Sequence, residues 1–173
     1  GTKEASNFTQ RRWKSEAQAD ARGDYAVCGV PIETQLGLRA NYLTNATGQL
    51  DLPGSPDRVR RRDVVVPGTL ASDSSLRGTV TGVVSDNNGK PLRDVRVILD
   101  NVAEVRSDSA GRFTQRQSPT GSRQLDFAAL GMTPWSTIVD VMADEPAFVT
   151  ASLRTVTNLE AMRVTASGTV RRA

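Results

Sequence analysis

Two short acidic motifs, Asp20-x-x-Gly23 and Asp108-x-x-Gly111, have residue types and a spacing that could do chemistry. Carboxylates beside a glycine turn can bind calcium, but a calcium loop needs several more oxygen ligands at alternating positions, which both motifs lack. In a turn, by contrast, the aspartate accepts hydrogen bonds from backbone amides and the glycine adopts a positive φ. We therefore predict two structural turns, and we assign Asp86-Asn-Asn-Gly89 to the same class.

A run of arginines is the densest basic feature of the sequence. Arg58, Arg60, Arg61 and Arg62 could bind anionic sugars, lipid phosphates or nucleic acid. In a strand, however, Arg60 and Arg62 would face away from Arg61. A solvated strand whose charges deter edge pairing is therefore the favoured interpretation. Arg58, Arg60 and Arg62 are retained as candidate ligand or partner contacts.

The aromatic residues divide into candidate core positions and candidate ligand contacts. Tyr25, Phe113 and Phe127 fall on inward positions of predicted strands, so we expect them in the core. Trp13 and Trp135 lie at the ends of elements. These two tryptophans are the aromatics that could stack on a sugar or another ligand.

Composition excludes several kinds of site. There is no histidine and one cysteine, Cys28, which removes serine–histidine and cysteine–histidine mechanisms, histidine-dependent zinc sites and any internal disulfide. Cys28 lies in an apolar stretch and is predicted to be a small buried hydrophobe. The net charge of +3 does not indicate a nucleic-acid partner, and no apolar run is long enough for a membrane-spanning helix. We predict no catalytic residue, no metal and no cofactor.

The elements that position these residues are short strands. Within residues 78–131, apolar and polar residues alternate over 80–84, over 94–99, after the Asp108 turn, and over 123–131. Further strands are predicted at Ser136–Val141 and Ala147–Leu153. Period-2 alternation with frequent turn residues predicts an all-β fold of the sandwich or barrel type.

The order of these pieces resembles the carboxypeptidase regulatory-like domain, a small transthyretin-like Greek-key β-sandwich. The resemblance rests on Val80, Gly82, Val84 and Asp86, then Gly89-Lys-Pro-Leu before Val95 and Val97, then Asp108-Ser-Ala-Gly-Arg-Phe. It implies a non-catalytic accessory or interaction module of an exported bacterial protein. The implied location is the periplasm, the outer membrane or the extracellular space. The implied partners are neighbouring domains of the parent chain, another envelope protein, or a glycan.

An internal repeat predicts two tandem sandwiches, the first truncated. Asp20, Gly23, Tyr25 and Pro31 precede Asp108, Gly111, Phe113 and Pro119 at a constant offset. We predict a truncated sandwich at 1–66, with strands at Gln35–Ala40, Gly48–Leu52 and Arg58–Pro67, a linker at 67–77, a complete sandwich at 78–153, and a tail at 154–173.

The tail carries a second resemblance. Asn158-Leu-Glu-Ala-Met-Arg-Val-Thr-Ala is similar to the segment that precedes the plug of TonB-dependent outer-membrane receptors. Two alternative functions therefore stay open beside the accessory module. One is an N-terminal extension of such a receptor, and the other is a carbohydrate- or ligand-binding module.

Overall fold

All regular secondary structure in the described part of the chain is β. The computed structural model describes residues 14–31, 33–43, 45–67 and 77–156. Its strands are β1 (Leu36–Leu38), β2 (Asn41–Tyr42), β3 (Asn45–Ala46), β4 (Leu50–Leu52), β5 (Arg77–Asp86), β6 (Arg96–Leu99), β7 (Ala103–Arg106), β8 (Arg112–Pro119), β9 (Gly121–Ala128), β10 (Trp135–Val141) and β11 (Ala147–Leu153). The all-β prediction is confirmed for these residues, and the tandem arrangement stays a prediction.

Two compact units divide the described chain. The first contains the described residues of 1–35 and of 53–60. The second contains the described residues of 36–52 and of 61–173, so it combines a stretch of the N-terminal half with all seven long strands. The N-terminal half is thus shared between the two units.

Seven strands of the second unit form two sheets. The order β10-β9-β6-β7 gives a four-stranded antiparallel sheet, and β11-β5-β8 gives a three-stranded sheet in which β11 runs parallel to β5. The small pairs β1–β4 and β2–β3 are both antiparallel. Since β5 is central in its sheet, both of its edges are occupied.

The core lies between the two sheets and follows the alternation in the sequence. Val97 and Leu99 are buried while Arg96 between them is exposed. The buried cluster is Val80, Val84, Val95, Val97, Leu99, Phe113, Leu125, Phe127, Val139, Val141, Ala151 and Leu153. The predicted core positions of Phe113 and Phe127 are confirmed, and their rings meet edge to face with centroids 5.7 Å apart.

Three predictions about the N-terminal half are wrong. Tyr25 is 38% exposed and Cys28 is exposed, although both were expected to be buried. The physical reason is that residues 24–30 form no strand, so the alternation there has no sheet to pack against. The stretch 58–67, expected to be a strand, has no strand either, and the Val65 N–H there donates to the side-chain hydroxyl of Ser122 in place of a main-chain carbonyl.

The β6–β7 hairpin was missed in the sequence because its turn carries no glycine. Asp100 and Asn101 both have positive φ, of 50° and 59°, and the Val102 N–H donates to the Leu99 carbonyl at 2.9 Å. Two left-handed residues in succession are the geometry of the type I′ turn that joins tightly paired strands. The turn also directs the Asp100 side chain back onto β9, where its carboxylate accepts a hydrogen bond from the Gln124 N–H at 3.0 Å.

Candidate functional site

The three Asp-x-x-Gly motifs form three nearly identical turns. Asp20, Asp86 and Asp108 each accept two backbone N–H bonds on Oδ1, from residues i+2 and i+4, at distances of 2.8 to 2.9 Å. In each turn the glycine N–H donates to the aspartate carbonyl at 2.9 to 3.0 Å. Each carboxylate is therefore occupied by the turn amides, which is the structural role expected from the sequence.

The glycines of these turns have the predicted left-handed conformation. Gly23, Gly89 and Gly111 have φ of 87°, 80° and 72°. Their surroundings differ, however. A Cβ at Gly23 or Gly89 would meet nothing within 4 Å, whereas a Cβ at Gly111 would lie 2.3 Å from the Val84 carbonyl oxygen. Gly111 thus satisfies both a conformational and a steric requirement.

We expect Gly111→Ala to destabilise the protein more than Gly89→Ala. Both substitutions place a Cβ in the left-handed region, at a cost of about 1 kcal/mol. Only the Gly111 variant also forces the Val84 carbonyl away, so its total cost should be about 2 to 3 kcal/mol. Paired thermal melts measure the difference, and equal melting temperatures would contradict the steric argument.

Of the two candidate tryptophans, Trp135 lies in the described part of the chain. Trp135 begins β10, is half-buried, and packs its ring on Phe127 with centroids 5.3 Å apart. Trp13 lies outside the described residues. The ring contact makes Trp135 part of the packing around the core, and its predicted role in ligand contact stays a prediction.

The candidate arginines differ in exposure. Arg58 and Arg61 are exposed, while Arg60 and Arg62 are half-buried. Arg60 Nη1 donates to the Pro53 carbonyl at 2.6 Å, so part of this guanidinium is used within its own unit. The alternation expected for Arg60, Arg61 and Arg62 is present even though no strand forms there.

Beside the Asp20 turn the first unit has an open depression of about 400 Å³. It is lined by Gln18, Ala19, Asp20, Asp24, Tyr25 and Ala26. The Asp20 carboxylate already serves the turn, and Arg22 Nε lies 3.7 Å from Oδ2 of Asp20 and of Asp24. These acids are thus partnered within the motif itself.

A buried, fully hydrogen-bonded polar site lies on the outer face of the four-stranded sheet, and it was not predicted from the sequence. Ser122 and Gln124 on β9 point outward, yet their exposed fractions are 0% and 3%. The Val65 N–H donates to Ser122 Oγ and the Ser122 N–H donates to the Val65 carbonyl, both at 2.8 Å. The Gly48 N–H donates to the Ser122 carbonyl at 3.1 Å. Residues near 48 and 65 therefore lie against β9 at Ser122.

Further bonds hold the same covering segment. The Asp51 N–H donates to Gln124 Oε1 at 3.1 Å, and Leu50 beside it is fully buried. The Ser122 hydroxyl donates to the Asp140 carboxylate on the neighbouring strand β10. The polar groups of Ser122 are thus all used, and the outward positions of β9 form an interface rather than a solvated face.

Arg123 links the covering segment to two turns of the sandwich. Its guanidinium donates to the carbonyls of Ala46 at 3.2 Å and Thr120 at 2.5 Å, and it lies 3.4 Å from the Asp100 carboxylate. Both partners of the ion pair are largely buried, with side-chain exposures of 12% and 17%. At Gly48 a Cβ would lie 2.1 Å from Asp100 Oδ1, so a residue without a side chain is required at this contact.

The remaining arginines of the four-stranded sheet are paired with carboxylates at the surface. Arg96 bonds both carboxylate oxygens of Glu104, at 3.0 and 2.8 Å, and Arg106 lies 3.0 Å from Asp94. The hydrogen bond and charge of Arg96 lower the pKa of Glu104 below its usual range, and Glu104 raises the pKa of Arg96. Such exposed pairs contribute little to stability because water screens them.

Neither a metal cluster nor a membrane helix is found in the described part of the chain. No group of three or more His, Cys, Asp and Glu side chains there could hold a metal ion. Among the same residues, no helix is long and apolar enough to cross a membrane.

Comparison with known families gives one match. The sequence profile of the carboxypeptidase regulatory-like domain matches residues 79–154, which span β5 to β11 and the core between them. Residues 79–154 are a carboxypeptidase regulatory-like domain. The profile matches the chain at this one stretch. The second copy expected at 1–66 and the resemblance of the tail to a receptor segment have no match and stay predictions.

Comparisons with individual proteins add little. A search of curated proteins found no match. Among solved structures, the chain is similar to 3-chlorocatechol 1,2-dioxygenase from Rhodococcus opacus 1CP, at 16% identity and a TM-score of 0.40. The alignment covers 50% of this chain and 62% of that enzyme. A likeness this distant supports no inference for the regulatory-like domain.

Proposed function

We propose that this chain is a non-catalytic accessory module whose sandwich holds adjoining polypeptide in place. One observation carries the proposal: the outer face of the four-stranded sheet buries chain segments that lie outside the matched domain. Leu50, Ser122 and Gln124 are almost completely buried there, and the bonds come from both sides of the contact. A surface built to order a neighbouring segment fits a role in folding support, spacing or interaction.

The family and the composition support the non-catalytic part of the proposal. Carboxypeptidase regulatory-like domains are typically non-catalytic. The sequence contains no histidine, which removes the commonest general base near neutral pH. The proposed partners are neighbouring domains of the parent chain or another envelope protein.

Two further parts of the proposal rest on resemblance. The tandem arrangement is supported by the Asp20 turn, which reproduces the hydrogen bonds of the Asp108 turn at the offset of the repeat. Placement in the periplasm, at the outer membrane or outside the cell follows the family resemblance. Fractionation of cells that express the complete gene tests the placement.

The docking function is tested by separating the two sides of the contact. A peptide of residues 36–67 should bind a fragment of residues 77–156 in a one-to-one complex measured by calorimetry. Leu50→Asp in the peptide should weaken binding by about tenfold or more, because it places a charge at a fully buried position. Val59→Asp is the matched control, since Val59 is 86% exposed. A folded fragment that does not bind the unmodified peptide would contradict the proposal.

A further inference from the structure

Among the described residues, nothing covers the outer face of the three-stranded sheet, in contrast to that of the four-stranded sheet. Residues on β5, β8 and β11 alternate between the core and this face. Phe148 on β11 is 68% exposed, and Arg112, Thr114 and Arg116 on β8 are all exposed. No part of the chain that the structure describes packs over them. This surface, formed by the outward residues of β5, β8 and β11, is called the open face.

The open face carries positive charge without acidic partners. Arg112 and Arg116 form no ion pair with any described residue. Asp86 is the one acid in the three strands, it lies at the end of β5, and its Oδ1 accepts the N–H groups of Asn88 and Lys90. On the four-stranded sheet, by contrast, the arginines are paired with carboxylates. The open face therefore offers two arginine side chains to an external anion.

The strand register fixes the layout of these groups. Arg112 and Arg116 lie four residues apart on one strand, about 13 Å, with Thr114 between them. Thr114 is opposite Thr81 of β5, which is opposite Phe148 of β11. Phe148 on β11 and the arginines on β8 thus lie about 10 Å apart, on either side of Thr81 on the central strand β5.

Strand addition at the edge of β8 is disfavoured. The Arg112 carbonyl accepts the Asp108 N–H at 2.8 Å, and the Arg112 N–H donates to Asp108 Oδ1 at 2.8 Å. The Arg116 carbonyl accepts from Gln115 Nε2 at 3.3 Å. These bonds occupy main-chain groups near both ends of the β8 edge, which favours a partner that binds across the open face.

The size of the open face favours a narrow polymer over a folded protein. Strands of seven to ten residues at this spacing give a surface about 23 to 33 Å long and about 15 Å wide, or about 350 to 500 Å². A stable protein interface takes roughly 800 Å² from each partner. A linear chain of sugars needs no such area, and the exposed Thr114 and Phe148 side chains match the polar groups and apolar faces of sugar rings.

We propose that the open face binds a linear polysaccharide that carries carboxylate groups, a polyuronate. Arg112 and Arg116 form paired hydrogen bonds to carboxylates, for which the planar guanidinium is well shaped. Thr114 bonds sugar hydroxyls, and Phe148 packs on a ring face. This activity goes beyond the docking role of the four-stranded sheet and does not depend on it.

The test uses the full chain and measures binding to polygalacturonate at about 0.15 M salt, where long-range charge attraction is screened. Neutral dextran, dextran sulfate and polyglutamate are the comparison ligands. The double variant R112E/R116E should weaken polygalacturonate binding by roughly tenfold or more, and F148A should weaken it several-fold without changing the charge. The matched control is R39E/R61E, which reverses two exposed arginines outside this sheet.

Each other outcome overturns a stated part of the proposal. An equal loss in R39E/R61E means that net charge, and not the open face, drives binding. If neutral dextran binds as well, the carboxylate is not what is recognised. If dextran sulfate binds more tightly than polygalacturonate, the recognised group is a sulfate and not a carboxylate. If polyglutamate binds as tightly as polygalacturonate, the carboxylates alone explain binding and the sugar ring is not recognised. Melting temperatures show whether each variant is folded. If R112E/R116E unfolds, the neutral variant R112Q/R116Q is used in its place. Unchanged polygalacturonate binding in folded R112Q/R116Q and in folded F148A would show that the open face is not the binding site.

Discussion

Replacing Gly82 with valine will destabilise the sandwich by on the order of 3 kcal/mol, although valine is far better suited to a strand than glycine. Gly82 lies in the middle of β5, directly opposite Phe113 of β8. A Cβ there would lie 2.1 Å from the Val149 carbonyl oxygen and 2.6 Å from the Phe113 ring. The Phe113 ring therefore occupies the space that a side chain at Gly82 would fill.

Strand propensity and packing predict opposite signs for this substitution, which makes the experiment decisive. Thr81→Val on the same strand is the matched control, because Thr81 is half-buried, valine has nearly the same shape as threonine, and the change removes only the long hydroxyl bond to the Ala147 carbonyl at 3.5 Å. The control should leave the melting temperature nearly unchanged. The Gly82→Val variant should melt about 6 to 12 °C lower or fail to fold. A Gly82→Val protein at least as stable as the original would show that the ring and strand β11 can shift at little cost.

Six of the seven strands of the regulatory-like domain could be predicted from the sequence because each has an internal signal, and β7 is the exception. Alternation in β6 places Val97 and Leu99 on one face, and the core confirms it. Aspartate and glycine at fixed spacing predicted the turns at Asp20 and Asp108, including the positive φ of both glycines. These features depend on residues that are close in the chain, so a single sequence is enough to find them.

The N-terminal half could not be predicted in the same way because its structure depends on distant contacts. Tyr25 and Cys28 lie in a stretch that alternates like a strand, but in the described chain no neighbouring strand pairs with it. Local alternation cannot report whether a partner exists. The bonds from Val65 and Gly48 to Ser122 join residues more than fifty positions apart, and the polar outward residues of β9 look like an ordinary solvated face in the sequence.

Arg123 tests whether these distant contacts contribute to stability, and we expect Arg123→Met to cost about 3 kcal/mol. The substitution keeps an unbranched apolar side chain but removes the donors to Ala46 and Thr120. It also leaves the Asp100 carboxylate, only 17% exposed, without its cation. Asp100 still accepts the Gln124 N–H, so part of its burial remains compensated, and the cost stays below that of a fully isolated charge.

Arg96→Met is the matched control, because Arg96 also pairs with a carboxylate but does so at the surface. Water replaces the lost partner of Glu104 there, so the control should shift the melting temperature only slightly. Thermal melts of both variants, with hydrogen exchange at Gly48 and Val65, measure the effect. Arg123→Met should lower the melting temperature by about 6 to 12 °C and speed exchange at both amides. Equal melting temperatures for the two variants would mean that the segment covering the four-stranded sheet is held by apolar burial around Leu50 and not by Arg123.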